Sequence, residues 1–574
     1  MRPLYQTLLE RQAALIAALR AIMTGDGSVA PEPAGVESTT MGSSQMPDYA
    51  DTYRKFRWQV PDTFNFGAEV VDAFAADEGR LALIWCDQSG AEQWLTFADI
   101  ASASSRLASA LAANGLCRGD RVVVMLPRWP HWQITITACL KLGAVVVPCI
   151  TMLTERDIAY RINHSGARAV IASKEGAAKV PRRTELAVRV AVGGASGWLD
   201  WDTELDAGSP DFESVRVGAE EPTAIYYTSG TSGNPKGVTH AARALFVWRE
   251  TARYWLDLGP EDRMWCTADT GWSKAGTSIL FGPWSMGASV LFYDGPFDPR
   301  KRLELLERYR ITVFCAAATE LRSLVYEDVS AFDLSALRHT VSAGETLNPE
   351  VGKRWSALTG VPCREGYGQT ESLMSVHNYP STQLRDGSAG LPLPGYTVAV
   401  LREDATKASI GESGILAIKL PNPNMMLGYW GEPERMKEHV VENAEGRWWL
   451  TGDTAEMDED SYVYFLGRGD DVINSAGYRI GPTEVENVLL EHPAVRECAA
   501  VASPDPERGE VVKVFVVLAT GRERSEELVR ELQGHCKALT APYKYPRKVA
   551  FVEDLPKNVA GKVLRGVLRQ REFA

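Results

Sequence analysis

From about Phe64 onward the chain alternates two hydrophobic rhythms. TFADIASASSRLASALAANGL (residues 96–116) carries apolar positions at helical spacing and stops at Gly115, and DRVVVMLP (120–127) is a short β-branched run closed by proline. The pair recurs in WQITITACLKLGAVVVPC (132–149) and DIAYRINHSGARAVIAS (157–173). It returns in RYRITVFCAAATE (308–320), LRHTVSAGE (337–345) and VPCREGYGQTE (361–371). Helix then buried strand, several times over, predicts layered α/β structure with parallel strands. In three of these units the strand runs straight into small polar residues, and open α/β sheets bind ligands at that carboxyl edge.

After about Gly387 the rhythm changes. GLPLPGYTVAVL, GESGILAIKL and DSYVYFLGR are short strands separated by turn residues and predict a β-rich module. From about Asp470 a further unit begins, in which VVKVFVVLA reads as strand, EELVRELQGHCKAL as helix and RKVAFVEDL as strand, so a small separate α+β domain is expected. At the amino terminus LYQTLLERQAALIAALRAIM has helical spacing and precedes a Gly/Ser/Pro-rich stretch from about Gly25 to Gln45. The organisation expected is an accessory helix and linker over 1–45, a large domain over 46–469 and a small carboxyl-terminal domain over 470–574.

The chain has 574 residues, which predicts several subdomains, and its 45% hydrophobic and 24% charged content suits a soluble globular enzyme. A net charge of −13 argues against nucleic-acid binding, so any anionic substrate must be gathered by local cations. Nine cysteines without a Cys-x-x-Cys pair argue for a reducing compartment and against zinc. No run approaches the roughly 18 apolar residues of a membrane span. Glu10 and the scarcity of hydroxyls speak against a transit peptide, and a cytoplasmic location is expected. The sequence leaves a homodimer open.

YYTSGTSGNPKG, residues 226–237, is the stretch richest in chemistry. Its apolar lead-in reads as a strand end; its glycines allow close backbone approach, and its hydroxyls with one lysine can surround phosphate. The Walker A spacing, which ends in Gly-Lys-Ser/Thr, is absent. A nucleotide site of another kind is expected.

YYTSGTSGNPKG, YGQTE, TGD, GRGDDVINSAGYRIGP and PKNVAGK, in this order, resemble the motifs of the adenylate-forming acyl-CoA synthetases. YRKFRWQVPDTFNFGAEVVD (53–72) resembles the medium-chain branch, and the likeness covers nearly all of the chain beyond the first 45 residues. It implies a two-step ligase that uses ATP, Mg²⁺ and CoA. A carboxylate attacks the α-phosphorus and releases pyrophosphate; a CoA thiolate then displaces AMP from the acyl-adenylate. Splitting one hard step into two easier ones is the usual gain from a covalent intermediate.

The same resemblance assigns residues. Thr228, Ser229, Gly230, Thr231, Ser232, Gly233 and Lys236 should hold the β- and γ-phosphates. Gly366, Tyr367, Gly368, Gln369 and Thr370 should contact the nucleotide, with Tyr367 stacked on adenine and Thr370 at the α-phosphate. Glu371 should ligate Mg²⁺. Gly344, Glu345 and Thr346 match the adenosine-contacting segment, although its third position is often proline. Asp453 should bind the ribose diol and Arg468 the ribose or phosphate. Asp470 matches the hinge, and Gly477, Tyr478 and Arg479 the CoA face. Lys562 should neutralise charge in the first transition state, which makes Lys562, Thr228 and Glu371 the expected catalytic groups. Taken singly each has an ordinary alternative: Gly-Asp is a common turn, Arg468 suits a surface ion pair, and tyrosines such as Tyr367 are mostly core.

For the acyl pocket the resemblance points to Trp272, Ser273, Lys274, Ala343 and Gly368. Acetate-specific relatives carry tryptophan where Gly368 stands, so glycine should remove a wall and make acetate a poor substrate. Medium-chain or branched acids are then favoured, by about 0.8 kcal/mol per buried CH₂. An aryl acid of the benzoate type fits the same opening, and a catalytically silent relative is the remote alternative. Lys274 pointing inward would suit a substrate with a polar group; pointing outward it would be irrelevant.

Overall fold

The helix that follows the first hairpin starts because Thr96 and Asp99 cap each other. The Thr96 hydroxyl accepts the Asp99 amide at 3.1 Å, and the Asp99 carboxylate accepts the Thr96 amide at 2.8 Å. Helix Phe97–Ala113 runs from that cap, and Gly115, at a φ of 91°, lets the chain turn into strand Arg121–Met125. The computed structural model describes residues 44–228, 234–468, 471–475, 478–506, 508–540, 544–557 and 563–573. The accessory helix expected near the amino terminus lies outside the described residues.

Alternation along each strand sets the layers. Val122 and Val124 join one large core, whereas Val123 and Met125 join another beneath helix Glu155–Ser165, through Ile158 and Ile162. Arg121–Met125, Val145–Pro148, Ala169–Ser173, Val188–Val192 and Pro222–Thr228 form a parallel sheet. In a second sheet, Leu81–Asp87, Ser289–Asp294, Arg263–Cys266, Val313–Ala316, His339–Ala343 and Cys363–Gln369 are successive parallel neighbours. The large core takes Val122, Val124 and Val146 from one sheet, Val290, Phe292 and Val341 from the other, and Ile134, Leu245 and Trp248 from helices. Helices Pro130–Lys141 and Ala242–Tyr254 are thus sandwiched, and every residue of the former is buried. The far face of the second sheet carries its own core, with Phe314 and Leu291 against Leu306, Leu321 and Trp355.

The β-rich part expected after residue 387 is there, but it is not a separate sheet. Cys363–Gln369 turns back into Leu373–His377, and antiparallel pairing continues through Ser388–Pro392, Val463–Arg468, Gly446–Met457, Gly414–Lys419 and Val398–Leu401. The change of direction therefore comes at Leu373, whose φ is 54°. Strands Ile473–Ser475, Tyr478–Ile480, Val495–Asp505, Gly509–Leu518 and Lys548–Phe551 form a third sheet. Val485, Leu489, Val514 and Leu532 close a core of their own on it. No described helix is long and apolar enough to cross a membrane.

One buried ion cluster ties the chain leading into the α/β layers to the strand that carries the site. Arg338, just before His339–Ala343, donates to Asp262 at 2.7 and 2.9 Å and to Asp257 at 2.9 Å. Asp257 in turn accepts the Gln45 amide at 2.7 Å and the Ser44 hydroxyl at 3.1 Å. Both aspartates are buried. Removing one partner of such a cluster leaves uncompensated charge and costs about 3–5 kcal/mol. Arg338→Ala is expected to lose that much in urea unfolding, and a loss below about 1 kcal/mol would show the cluster to be unimportant.

Candidate active site

The glycine-rich stretch joins the two strands of a hairpin. Pro222–Thr228 and Lys236–Ala241 are antiparallel, and Thr228 and Lys236 are register partners at the end where the glycine-rich stretch joins them. Tyr226 faces the large core and Tyr227 the opposite layer. The Lys236 ammonium stands 5.2 Å from the centre of the Tyr429 ring, and the hydroxyl of that ring donates to Glu371 Oε1 at 3.0 Å. One aromatic residue thus contacts both a cation and a carboxylate. Burial lowers the Lys236 pKa, Arg435 adds to the effect, and Glu371 opposes it.

Thr370 is fixed from two sides. His240 Nε2 donates to its carbonyl at 2.8 Å, and its hydroxyl lies 3.3 Å from that of Ser273. Burial pushes His240 down to about 4, so the ring is neutral near pH 7. Gly368 is hemmed in. A Cβ there would fall 2.1 Å from the Leu373 carbonyl oxygen and 2.6 Å from the Met374 Cα. Its Cβ direction is filled by the backbone of its own hairpin, so the position packs as glycine. At Gly366 a Cβ would meet Trp255, Met374 and His377, each at 2.9 Å.

Asp453 is buried on strand Gly446–Met457. Its Oδ2 accepts the Tyr367 hydroxyl and, at 2.7 Å, the Gln369 amide, while Arg468 approaches Oδ1 at 3.3 Å. The Gln369 amide also donates to the Thr451 carbonyl at 2.8 Å. Burial and the adjacent Asp453 charge raise the Tyr367 pKa, which keeps the phenol a donor. The Tyr367 ring lies 5.9 Å from that of Phe465.

Strand His339–Ala343 ends beside these groups. Gly344 follows it at a φ of 95°, a conformation that favours glycine. Glu345 Oε1 accepts the Thr319 amide at 2.7 Å and its hydroxyl at 2.8 Å, and Thr346 is half-buried next to it. Lys274 settles its own direction: it points inward, and its ammonium donates to the Ala343 carbonyl at 2.8 Å. Burial opposes that charge, but the Cys315 and Cys266 thiols and Glu345 outweigh it and raise the Lys274 pKa. Trp272 is partly buried and packs against the large core.

Ser229, Gly230, Thr231, Ser232, Gly233, Asp470, Gly477 and Lys562 lie outside the described residues. Tyr478 and Arg479 pair with Ser475 and Asn474 across a short hairpin of the third sheet. Among the described residues no group of three His, Cys, Asp or Glu could hold a metal ion. Three members of the site carried no motif: Tyr429 and His240, which touch Glu371 and Thr370, and Glu365.

Glu365 lies two residues before Tyr367 and accepts the Leu347 amide at 3.2 Å. Burial pushes its carboxyl up to about 8, and Glu345 adds to the shift. A carboxyl whose folded pKa is raised favours the fold at low pH and loses that contribution as pH climbs from the ordinary carboxylate range towards 8. Glu365→Gln is therefore expected to shrink the fall in thermal midpoint between pH 5 and pH 8.5. An unchanged fall would refute the shift.

Comparison with known proteins places this geometry. A family model described as AMP-binding enzyme matches residues 71–430, and one described as AMP-binding enzyme C-terminal domain matches 484–562. The chain is 39% identical over 544 residues to acyl-coenzyme A synthetase ACSM3, mitochondrial, of Rattus norvegicus, covering 92% of this chain and 93% of that protein. The crystal structure of Brucella canis acyl-CoA synthetase superimposes with a TM-score of 0.71 at 34% identity, over 92% of this chain and 99% of that one. The anthranilate CoA ligase AuaEII in complex with anthranoyl-AMP superimposes with a TM-score of 0.81 at 28% identity, over 89% and 98%. The aryl ligase is thus the more distant in sequence. The expected cytoplasmic location does not stand, because the curated relatives are named as mitochondrial proteins. The chain belongs to the AMP-binding enzyme family and is an ATP-dependent, AMP-forming acyl-CoA ligase.

Proposed function

We propose that the acid activated is medium-chain or branched, and that the groups described above divide the two half-reactions between them. In the first, a carboxylate oxygen bonds to the α-phosphorus of ATP as the bond to pyrophosphate breaks. In the second, the CoA thiolate adds to the acyl carbon and AMP departs. The observation that carries the reading is Tyr429 touching both Lys236, over its ring, and Glu371, at its hydroxyl: a cation and a carboxylate of the kind a polyphosphate with its counter-ion needs.

Thr228 and Lys236, with Ser229, Thr231 and Ser232, take the β- and γ-phosphates. Magnesium prefers few protein carboxylates together with phosphate oxygens, and the single Glu371 suits that donor set. The ion, when bound, would offset phosphate charge. Asp453 takes the ribose diol: it is already buried and held between donors, so binding needs little reorganisation. Arg468 stands where it reaches the ribose or the phosphate. Gly344, Glu345 and Thr346 border adenosine, with Tyr367 and Gly366 beneath them, and Thr370 faces the α-phosphate.

For the acid, Trp272, Ser273 and Ala343 are the lining. Lys274 points inward but spends its ammonium on the Ala343 carbonyl, which weakens the argument for a substrate with a polar group. Residues 46–469 would then be the nucleotide-binding domain and 470–574 a cap that turns about Asp470. Lys562 is delivered for adenylation, and Gly477, Tyr478 and Arg479 for thioester formation.

The test is a panel of acetate, butyrate, octanoate, branched acids and benzoate with ATP, magnesium and CoA, read as AMP, pyrophosphate and thioester. Octanoate or a branched acid should exceed acetate in kcat/KM by at least tenfold, since several extra buried methylenes are each worth about 0.8 kcal/mol. A preference for acetate or benzoate would overturn the substrate assignment. Lys562→Ala should lower acid-dependent ATP–pyrophosphate exchange by a factor on the order of 10²–10³, as loss of an electrostatic transition-state group does. Thioester formation from supplied acyl-adenylate should survive, and exchange near the wild-type rate would remove Lys562 from the mechanism.

A further inference from the structure

Helix Glu155–Ser165 touches the glycine-rich hairpin on both sides of the glycines. The Tyr160 hydroxyl donates to the Pro235 carbonyl at 3.0 Å, immediately before Lys236. One turn later, His164 Nδ1 lies 2.8 Å from the Tyr227 hydroxyl, immediately before Thr228. Positions four apart on a helix share a face, and here the two rings stack, with centroids 5.2 Å apart and planes at 23°. Tyr227 meets both rings edge-on, at 6.2 Å from Tyr160 and 5.7 Å from His164. Arg161 covers it at 5.4 Å.

The helix is itself rigidly seated. Thr154 and Asp157 cap its start reciprocally, and Gly166 at a φ of 61° ends it. Ile158 and Ile162 sink into the core with Val123, Val145 and Ile225. Arg121 holds the final carbonyls, donating to Ser165 at 2.9 Å and to Gly166 at 2.6 Å. Between the hairpin strands, a Cβ on Gly237 would stand 3.2 Å from Trp430 Cβ and 3.5 Å from Tyr227 Cζ, so that layer has no slack. Tyr226 is spent on the core; its neighbour Tyr227, pointing the other way, is the residue the helix can grip.

We propose that helix Glu155–Ser165 is a positioning clip for the phosphate-binding hairpin, in which Tyr160 and His164 fix where Lys236 and Thr228 stand. The inference rests on the assignment of those two residues to the ATP phosphates. Neither Tyr160 nor His164 touches substrate; they act through Pro235 and Tyr227. Without the clip the protein folds and still binds acid and CoA, but ATP must pay the ordering of the stems at each encounter.

The test uses the full chain and ATP itself. In Tyr160→Phe/Tyr227→Phe each change removes one oxygen and one hydrogen bond. The KM for ATP in pyrophosphate exchange is expected to rise about tenfold, the effect of two lost hydrogen bonds. The KM for the acid, and thioester formation from supplied acyl-adenylate, should stay within about twofold. Three further variants guard against a folding defect: Tyr160→Phe alone should give about threefold, and His164→Asn, whose amide can stand in for Nδ1, should restore most of what His164→Ala loses. An unchanged KM for ATP in the double variant, or equal losses in both half-reactions, overturns the clip. Lys236→Ala separates the two readings. If it raises the KM for ATP and the tyrosine variants do not, the clip alone falls; if it too leaves the KM unchanged, the phosphate assignment falls and takes the clip with it.

Discussion

A parallel strand covered on both faces has nowhere to place a functional group except at its end, and that constraint organises this molecule. Val122 and Val124 are committed to one layer, Val123 and Met125 to the other. The same holds on the second sheet, where Val290 and Phe292 face the shared core and Leu291 the outer one. Interior positions of either sheet are spent on packing. The polar groups gather instead where Thr228, Ala343 and Gln369 end their strands, and the antiparallel extension brings Asp453 and Arg468 back to the same edge. The fold leaves one rim on which chemistry can be assembled.

The rim works against the charge of the whole. With a net charge of −13, the chain repels a polyphosphate at long range, so attraction must be local. Local charge is strengthened where water is scarce. Lys236 lies against an aromatic ring and near Glu371 rather than in open solvent, and Arg468 lies beside buried Asp453. These groups are poised by neighbours already in place. The cost is that each cation already has a competing carboxylate at hand.

Much of this was legible in the sequence, and what was not has a physical reason. The alternation of helix and strand is a local property, so the α/β layers and the small third sheet could be read from spacing. The glycine-rich stretch and GYGQTE could be read because their residue types are unusual together. Continuity of the β-rich part with the parallel sheet could not, since it depends on which strands pair across intervals such as Ser388 to Tyr464. Nor could Tyr429, which reaches Glu371 from 58 positions away and stands in no motif. The orientation of Lys274 was open for the same reason: one carbonyl, 69 residues on, decides it.

The strand Cys363–Gln369 shows why glycine alternates with larger groups there. Glu365, Tyr367 and Gln369 project to one side, where each finds a polar partner: the Leu347 amide, Asp453, and Thr451 with Asp453. Gly366 and Gly368 project to the other, where a Cβ would come within 2.9 Å of Trp255 and 2.1 Å of the Leu373 carbonyl. A strand has two faces, and here one is pressed so tightly on the hairpin and the core at Gly366 and Gly368 that these positions admit no side chain. That pressure holds the backbone still, and a still backbone is what lets three polar side chains keep their positions without ligand. The glycines of GYGQTE therefore serve the tyrosine and glutamine between and beside them: close packing behind the strand is the means by which its front is held in place.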